Sequence, residues 1–462
     1  MSFISYRICP FILVATLSVW GSFAGEPATA ATLSKTTYTL ESSRCTDAID
    51  RVVCVFEASG MLKIPHEKDQ STKLGMKAAL VYDERTLDVP DTKNQTLRAA
   101  RYYDRADAKI LLPDGDFAPN LRAERCLMGV AVDDTQITIF SPKGSITRDE
   151  LDLVDLPANS LLIDRFLPTH PVAQGESWTC SNDLISAALG IDRTTKQTVE
   201  CTLAKIDDKT AVVELGGRID GSINGVTTRI EIKGKYRFDR KTRRIDWFGL
   251  LVHEDRDPGH VGPGLDVTAR LRMQIEPRED SDKLSDKVIK SHSFEPSDET
   301  TQLVYEPKRG GWQFGHDRRW FFTGGTPPLA FLRLIEQGDF IAQCNVVELE
   351  PVEPGKQATL ERFQDDIKQA LGEAFGEFVS ASQKANEQNY RVLRVVVRGT
   401  ISELPIEWHY YLVADEHGRQ VTFTFTVEGP LAKRLGKQDE QMVASLRFDP
   451  PQKVAAKAAE TR

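Results

Sequence analysis

The sequence predicts an α+β protein in which an N-terminal antiparallel β-rich domain is followed by a second domain with an antiparallel sheet of its own. Three observations lead there. Between Thr228 and Phe238 the apolar residues Ile230, Ile232, Tyr236 and Phe238 are separated by Arg229, Glu231, Lys233, Lys235 and Arg237, and between Leu265 and Glu276 six apolar residues alternate as strictly with six polar ones. A period of two places one set on each face of a strand, so both segments read as half-buried strands. Residues 277–310 are rich in Ser, Asp, Glu, Lys and Pro, and organised patterning resumes only at Trp312.

Taken from the start, Arg7 followed by the apolar run Ile8 to Trp20 and then small residues has the plan of a cleavable export signal within residues 1–30. Cleavage after Ala24 or after Ala30 satisfies the small-residue rule, and the run is short for a transmembrane helix. The expectation is an exported, periplasmic or extracellular protein with no transmembrane segment in the mature chain. The formal net charge of -9 over 462 residues argues against nucleic acid as a partner, because phosphate binding needs a basic footprint.

Excluding Cys9, six cysteines remain: Cys45, Cys54, Cys126, Cys180, Cys201 and Cys344. Cys45 with Cys54 and Cys180 with Cys201 each bracket a short segment, so at most two disulfides are expected. Cys344, alone in an apolar run, reads as a free buried thiol.

The first domain is expected over 33–276. Its early strands read at 51–58, 61–64, 77–82, 121–132 and 136–141. A helix over 145–153 is marked by Thr147 as N-cap with Glu150 three residues on, the spacing of a capping box. Short helices at 160–166 and at 182–189, the latter stopped by Gly190, precede a four-stranded meander made from 211–217, 228–238, 244–253 and 265–276. Residues 277–310 read as an extended polar linker. In the second domain, 312–449, a helix is expected over 359–378 from the stripe Leu360, Phe363, Ile367, Leu371, Phe375 and Phe378. Strands at 390–399, 406–414 and 421–427 follow, then a helix near 438–445 and a polar tail over 450–462.

Within this second domain, the run from Trp408 to Val427, an Asp439-containing helix and the closing Ser445-Leu446-Arg447-Phe448 resemble the PsbP-like (Mog/PsbP) fold. That resemblance implies an α/β sandwich with an antiparallel sheet, and a module for binding and assembly in place of catalysis; it transfers no functional residues. Pro171 to Trp178, PVAQGESW, is similar to a motif of uncharacterised exported bacterial proteins.

No nucleophile elbow, phosphate loop or dinucleotide fingerprint is present, so no catalytic residue and no cofactor is assigned. The glycine pairs 216–217 and 324–325 read as turn residues. Asn94-Gln95-Thr96 matches a glycosylation acceptor. For a metal, the candidates are His253, Asp255, Asp257 and His260, two imidazoles and two carboxylates within eight residues, although their spacing matches no established ligand pattern and a solvated turn explains them as well. Asp114 with Asp116, or Glu150, Asp152 and Asp155, are the carboxylates a hydrolase of envelope polymers would use. A lipid carrier would use the apolar face carrying Ile230, Ile232, Tyr236, Phe238, Trp247, Leu271, Met273 and Ile275. The candidate for binding is a basic sheet face, Arg229, Lys233, Lys235, Arg237, Arg270 and Arg272, on an otherwise acidic chain. The function expected on balance is that of a non-enzymatic, envelope-associated binding protein recognising a protein or an anionic polymer.

Overall fold

Strict alternation along a strand fixes register, because a slip of one residue would carry every apolar side chain to the wet face. A computed structural model describes residues 36–450 apart from 64–70, 90–95, 114, 134–135, 308–310, 326–327 and 354–355. The export signal with both cleavage sites, Asn94, Gln95, Asp114 and the tail beyond 450 therefore lie outside the described residues. From Thr37 onward the chain forms one compact unit, in which two large sheets each have an apolar core. Strands make up 55% of the chain and helices 16%, almost all of the pairing being antiparallel.

The larger sheet is two meanders joined edge to edge. The first comprises β1 (Ile49–Lys63), β2 (Ser71–Asp88), β3 (Leu97–Leu112), β4 (Leu127–Val132) and β5 (Ile137–Phe140). The second comprises β6 (Ser177–Thr179), β7 (Glu200–Ile206), β8 (Thr210–Ile223), β9 (Val226–Asp239), β10 (Arg244–Arg256) and β11 (Gly264–Arg278). Pairing of β1 with β11, from Lys63 opposite Gly264 to Ile49 opposite Arg278, makes the spatial order β5-β4-β3-β2-β1-β11-β10-β9-β8-β7-β6. The four strands of the expected meander are consecutive neighbours, β8 to β11. The turn between β9 and β10 is held by Asp239, whose Oδ1 accepts from the N–H groups of Lys241 and Thr242.

One face of this sheet is covered by residues 141–191. Helix α1 (Arg148–Val154) opens with the complete Thr147/Glu150 capping box, and α2 (Asn182–Leu189) ends at Gly190 in the left-handed region at φ 65°. Ile146, Leu153, Val154, Leu162, Ile163 and Phe166 from this segment pack against inward residues of both meanders. Ile230, Ile232, Tyr236, Phe238, Leu271, Met273 and Ile275 all belong to that packed core, and the Tyr236 hydroxyl donates to the Phe166 carbonyl at 2.9 Å. Trp247 does not join them. It pairs across β9 and β11 with Arg237 and Gln274, which places it on the opposite, outer face.

Several elements differ from the sequence reading. The segments 51–58 and 61–64 are one strand, β1. The sixteen-residue β3 was not anticipated, because one of its inward positions is Arg101, 2% exposed, where alternation leads one to expect an apolar side chain. Burial of an arginine is tolerated here because its partners are in place: Nε donates to Glu84 Oε2 at 2.7 Å, Nη2 reaches Ser160 Oγ at 2.9 Å, and the guanidinium sits 4.8 Å from the centre of the Tyr82 ring. Burial works to raise the Glu84 pKa, but the Arg101 and Arg44 charges outweigh it and hold the carboxyl below its ordinary value. Gly216 and Gly217 lie inside β8, not in a turn; a Cβ on Gly217 would stand 2.5 Å from the Thr198 carbonyl oxygen, so glycine is needed for that close approach.

The polar stretch over 277–307 is folded onto the protein where an extended linker was expected for 277–310. Its few apolar residues account for this: Leu284 and Phe294 bury themselves with Ala100 and Leu127 on the outer face of the first meander, and Leu303 is fully buried. Ser281 Oγ donates to Asp83 at 2.7 Å, Arg85 donates to the Leu284 carbonyl at 2.9 Å, and Val304 N–H donates to the Ile146 carbonyl at 2.9 Å.

The second sheet comprises β12 (Trp320–Gly324), β13 (Leu329–Glu336), β14 (Asp339–Leu349), β15 (Phe375–Ala385), β16 (Arg391–Ile401), β17 (Leu404–Ala414) and β18 (Gln420–Glu428), in the order β12-β13-β14-β18-β17-β16-β15. Helix α3 (Leu360–Leu371) is shorter than the apolar stripe suggests, since Gly372 at φ 52° turns the chain out of helix and Phe375 and Phe378 continue on β15. Both rings still join Ile367 in a small core, so the stripe marks burial correctly while the backbone changes type beneath it. Helix α4 (Gln438–Ala444) and the short strand Arg447–Phe448 close the chain, the latter pairing with Trp312–His316. Among the described residues no helix is long and apolar enough to cross a membrane.

Removing one partner from a buried ion pair leaves the other charge uncompensated. Arg101→Leu should therefore lower unfolding stability by about 3–5 kcal/mol, read as a fall in the urea midpoint of the transition that involves the large sheet.

Candidate functional site

The outer face of β8 to β11, continued by β1, presents the side chains that alternate away from the core. Rungs of the sheet bring them into rows: Lys233, Leu251, Arg270 and Glu57 in one, Glu214, Lys235, Gly249, Arg272 and Val55 in the next, and Arg237, Trp247, Gln274 and Val53 in a third. Lys233, Lys235, Arg270 and Arg272, with Glu214, line a shallow depression of about 480 Å³ over Trp247 and Leu251. Gly249 makes its floor. A Cβ there would fall 2.5 Å from a Trp247 ring carbon, so the indole lies over bare backbone. Leu251 is 37% and Val53 41% exposed, which leaves apolar surface open between the cations.

The six predicted basic residues do not all contribute alike. Arg237 is neutralised by Asp246, its Nε donating to Oδ1 at 2.8 Å. Arg229 is exposed on β9 but lies beyond the depression, in register with Asp255. Arg272 stands 3.5 Å from Glu57, which Lys77 also engages at 3.0 Å. The hydrogen bond from Lys77, reinforced by the charges of Lys77, Arg272 and Arg270, holds the Glu57 carboxyl below its ordinary pKa. Lys233, Lys235 and Arg270 form no ion pair with any described residue.

The other predicted residues are not brought together. His253 is exposed, with Nδ1 3.3 Å from Thr268 Oγ1, whereas the His260 ring stacks on Phe340 with centroids 5.4 Å apart. Asp255 and Asp257 lie 2.9 and 3.9 Å from Lys63. Among the described residues no three His, Cys, Asp or Glu side chains are placed to hold a metal. Among the hydrolase candidates, Asp116 pairs with Lys109 at 2.9 Å, Glu150 is occupied by its capping bond and by Arg122 at 2.7 Å, and Asp152 stands 3.8 Å from Arg148 with Asp155 close enough for the two carboxyls to repel.

One polar constellation was not foreseen. On β17, His409 Nδ1 lies 2.6 Å from Asp439 Oδ2 of α4 and Nε2 lies 2.9 Å from Glu407 Oε1; Tyr411 donates to the same Asp439 oxygen at 2.6 Å and accepts from Arg394 Nε at 2.8 Å. Arg398 completes the set by donating to Glu407 at 2.9 Å. The residues are spread over 394–439, and only the i, i+2, i+4 spacing of Glu407, His409 and Tyr411 on one strand face could have hinted at them. The set pins α4 to the sheet.

No protein-family model matches the chain, and no curated protein matches it. Among solved structures, the chain is similar to cyanobacterial PsbP from Synechocystis at 14% identity, over 32% of this chain and 92% of that one, with a TM-score of 0.26. It is similar to lipovitellin at 8% identity over 51% of this chain and 25% of that one, TM-score 0.29, and to a Rh. blastica porin mutant at 7% identity over 82% and 99%, TM-score 0.12.

Burial works to lower the His409 pKa, yet the bonded Asp439 and Glu407 carboxylates outweigh it and raise it above 6.5; burial works to raise that of Asp439, yet His409 and Tyr411 hold it below 3.8. The histidine contribution is complete below pH 6.5 and is lost as pH rises through the raised value, and the aspartate contribution is present above pH 3.8 and is lost on acidification through the lowered one. Thermal unfolding of the second sheet should accordingly occur at lower temperature above the raised His409 pKa than at pH 6, a pH dependence that His409→Gln should flatten.

Proposed function

We propose that this chain is a non-enzymatic binding protein that docks an anionic polymer on the outer face of its larger sheet. The observation that carries the reading is the cluster of Lys233, Lys235, Arg270 and Arg272 around half-buried Trp247 and exposed Leu251, with Glu214 the one carboxylate lining the depression. Three of the four cations form no ion pair with a described side chain, so a polyanion docking on them competes only with the Arg272–Glu57 contact. A shallow, open surface suits an extended polymer better than a small molecule, which would be enclosed on more sides. The indole and the leucine offer apolar contact to the uncharged parts of a repeating unit.

A binding role is supported over hydrolysis by the engagement of the carboxylates, each of Asp116, Glu150 and Asp152 standing beside its own cation. Export to the cell envelope belongs to the same proposal and rests on the pattern of residues 1–30. So does a PsbP-like identity for residues 312–449, which is supported by the order of elements: strands, the helix α3, four antiparallel strands, α4 and a last short strand.

Binding of a sulfated polysaccharide, used as a model polyanion and followed by tryptophan fluorescence or calorimetry, should weaken as salt is raised. Each cation near an anionic surface is worth about 1 kcal/mol, so the pair Lys233→Glu and Lys235→Glu should weaken binding by roughly 30-fold or more. Lys109→Glu, on β3 beside Asp116, serves as the control and should leave binding nearly unchanged. Equal loss in both variants, or binding indifferent to salt, would exclude this face as the docking surface.

A further inference from the structure

A groove of about 1040 Å³ lies away from the basic face, where residues 40–42, 164–170 and 177–184 meet. Leu40, Phe166, Trp178, Cys180 and Leu184 line it. Cys180 on its wall touches a second sulfur enclosed behind it: Cys180 Sγ and Cys201 Sγ are 3.6 Å apart, at 7% and 0% exposure. The ladder between β6 and β7 sets this up. Trp178 stands opposite Cys201 and the Cys180 N–H continues the pairing to the Val199 carbonyl, so both cysteines project from the same, inward face.

We propose that Cys180 and Cys201 are a dithiol site that closes to a disulfide by exchange with an external disulfide of low molecular weight. Cys180 is the attacking sulfur, since it lines the groove while Cys201 is enclosed behind it. Its thiolate attacks one sulfur of the external disulfide, forming a mixed disulfide and releasing the first small thiolate. The Cys201 thiolate then attacks the Cys180 sulfur, forming the internal bond and releasing the second. Two protein thiols are oxidised, one external disulfide is reduced to two thiols, and the two protons lost by the protein are taken up by them.

Closure needs the sulfurs to approach from 3.6 Å to about 2 Å. Strand β6 can supply this movement, being only three residues long and at the edge of the sheet. The remaining cysteines offer no such geometry. Cys45 is exposed, its expected partner Cys54 is buried on the inner face of β1, Cys344 is buried in the second sheet, and all six are free thiols in this structure.

The test is to treat the full-length protein with glutathione disulfide, block remaining thiols under denaturing conditions and map the peptides. The expected result is a linked pair of peptides carrying Cys180 and Cys201, the loss of those two thiols from the alkylatable set, and a rise in Tm on the order of 5 °C that is reversed by dithiothreitol. Cys201→Ser should stop the reaction at glutathione on Cys180, which identifies the attacking sulfur. Recovery of both cysteines unlinked from the wild-type protein, or linkage of Cys180 to any other cysteine, would overturn the proposal.

Discussion

Everything in the larger sheet depends on the pairing of β1 with β11. Fifteen consecutive residues of each strand are in register, and among the described residues this is the only seam between two meanders that would otherwise be separate sheets with separate edges. The seam makes the inner face continuous, so that residues 141–191 can be packed from both sides into one core. It also makes the outer face continuous, which is why Arg270 and Arg272 of the second meander have Glu57 and Val55 of the first as neighbours. A bare edge on β1 or β11 would offer unpaired backbone groups along a long, flat strand, and the pairing removes both edges at once.

The two faces handle charge in opposite ways. On the inside, Arg101 and Glu84 are tolerated only because hydroxyls, an amide oxygen and a tyrosine ring surround them, and the neighbouring Arg44 adds a bond to Asp164 at 2.9 Å. The result ties the segment around Asn159 and Ser160 to the middle of β2 and β3. On the outside, charges stay in water, and what distinguishes the region around Trp247 is that its cations are only partly matched. The strap of residues 281–294 covers the outer face of the first meander and stops short of this region, so cover and bare surface divide the sheet between them.

How much of this was legible in the sequence depended on whether the signal was local. The meander β8 to β11 was readable because each strand has one wet and one dry face, and the Thr147/Glu150 box and Gly190 were readable because caps are defined over three or four residues. The basic residues were placed on one face by the same alternation. Strand β3 was missed because Arg101 broke the pattern at a point where the compensating groups, Glu84, Asn159 and Ser160, are distant in the chain. The strap was mistaken for a linker because average composition hides what Leu284, Phe294 and Leu303 do individually. Trp247 was assigned to the greasy face because β10 is apolar on both sides, and no periodicity within such a strand says which way a residue points. The His409 constellation and the approach of Cys180 to Cys201 depend on tertiary pairing.

The β1–β11 seam also imposes an order in time. Its two strands are separated by about two hundred residues of chain, so during synthesis or refolding β1 exists long before its partner. The first meander can zip up from its hairpins, but it must do so with one long edge unsatisfied and its inner face uncovered until residues 141–191 arrive. Contacts of such sequence separation are slow to form, and exposed edges invite pairing with other chains while they wait. The same seam that leaves the finished sheet without a break in its middle thus makes the half-made protein dependent on whatever keeps β1 from finding the wrong neighbour.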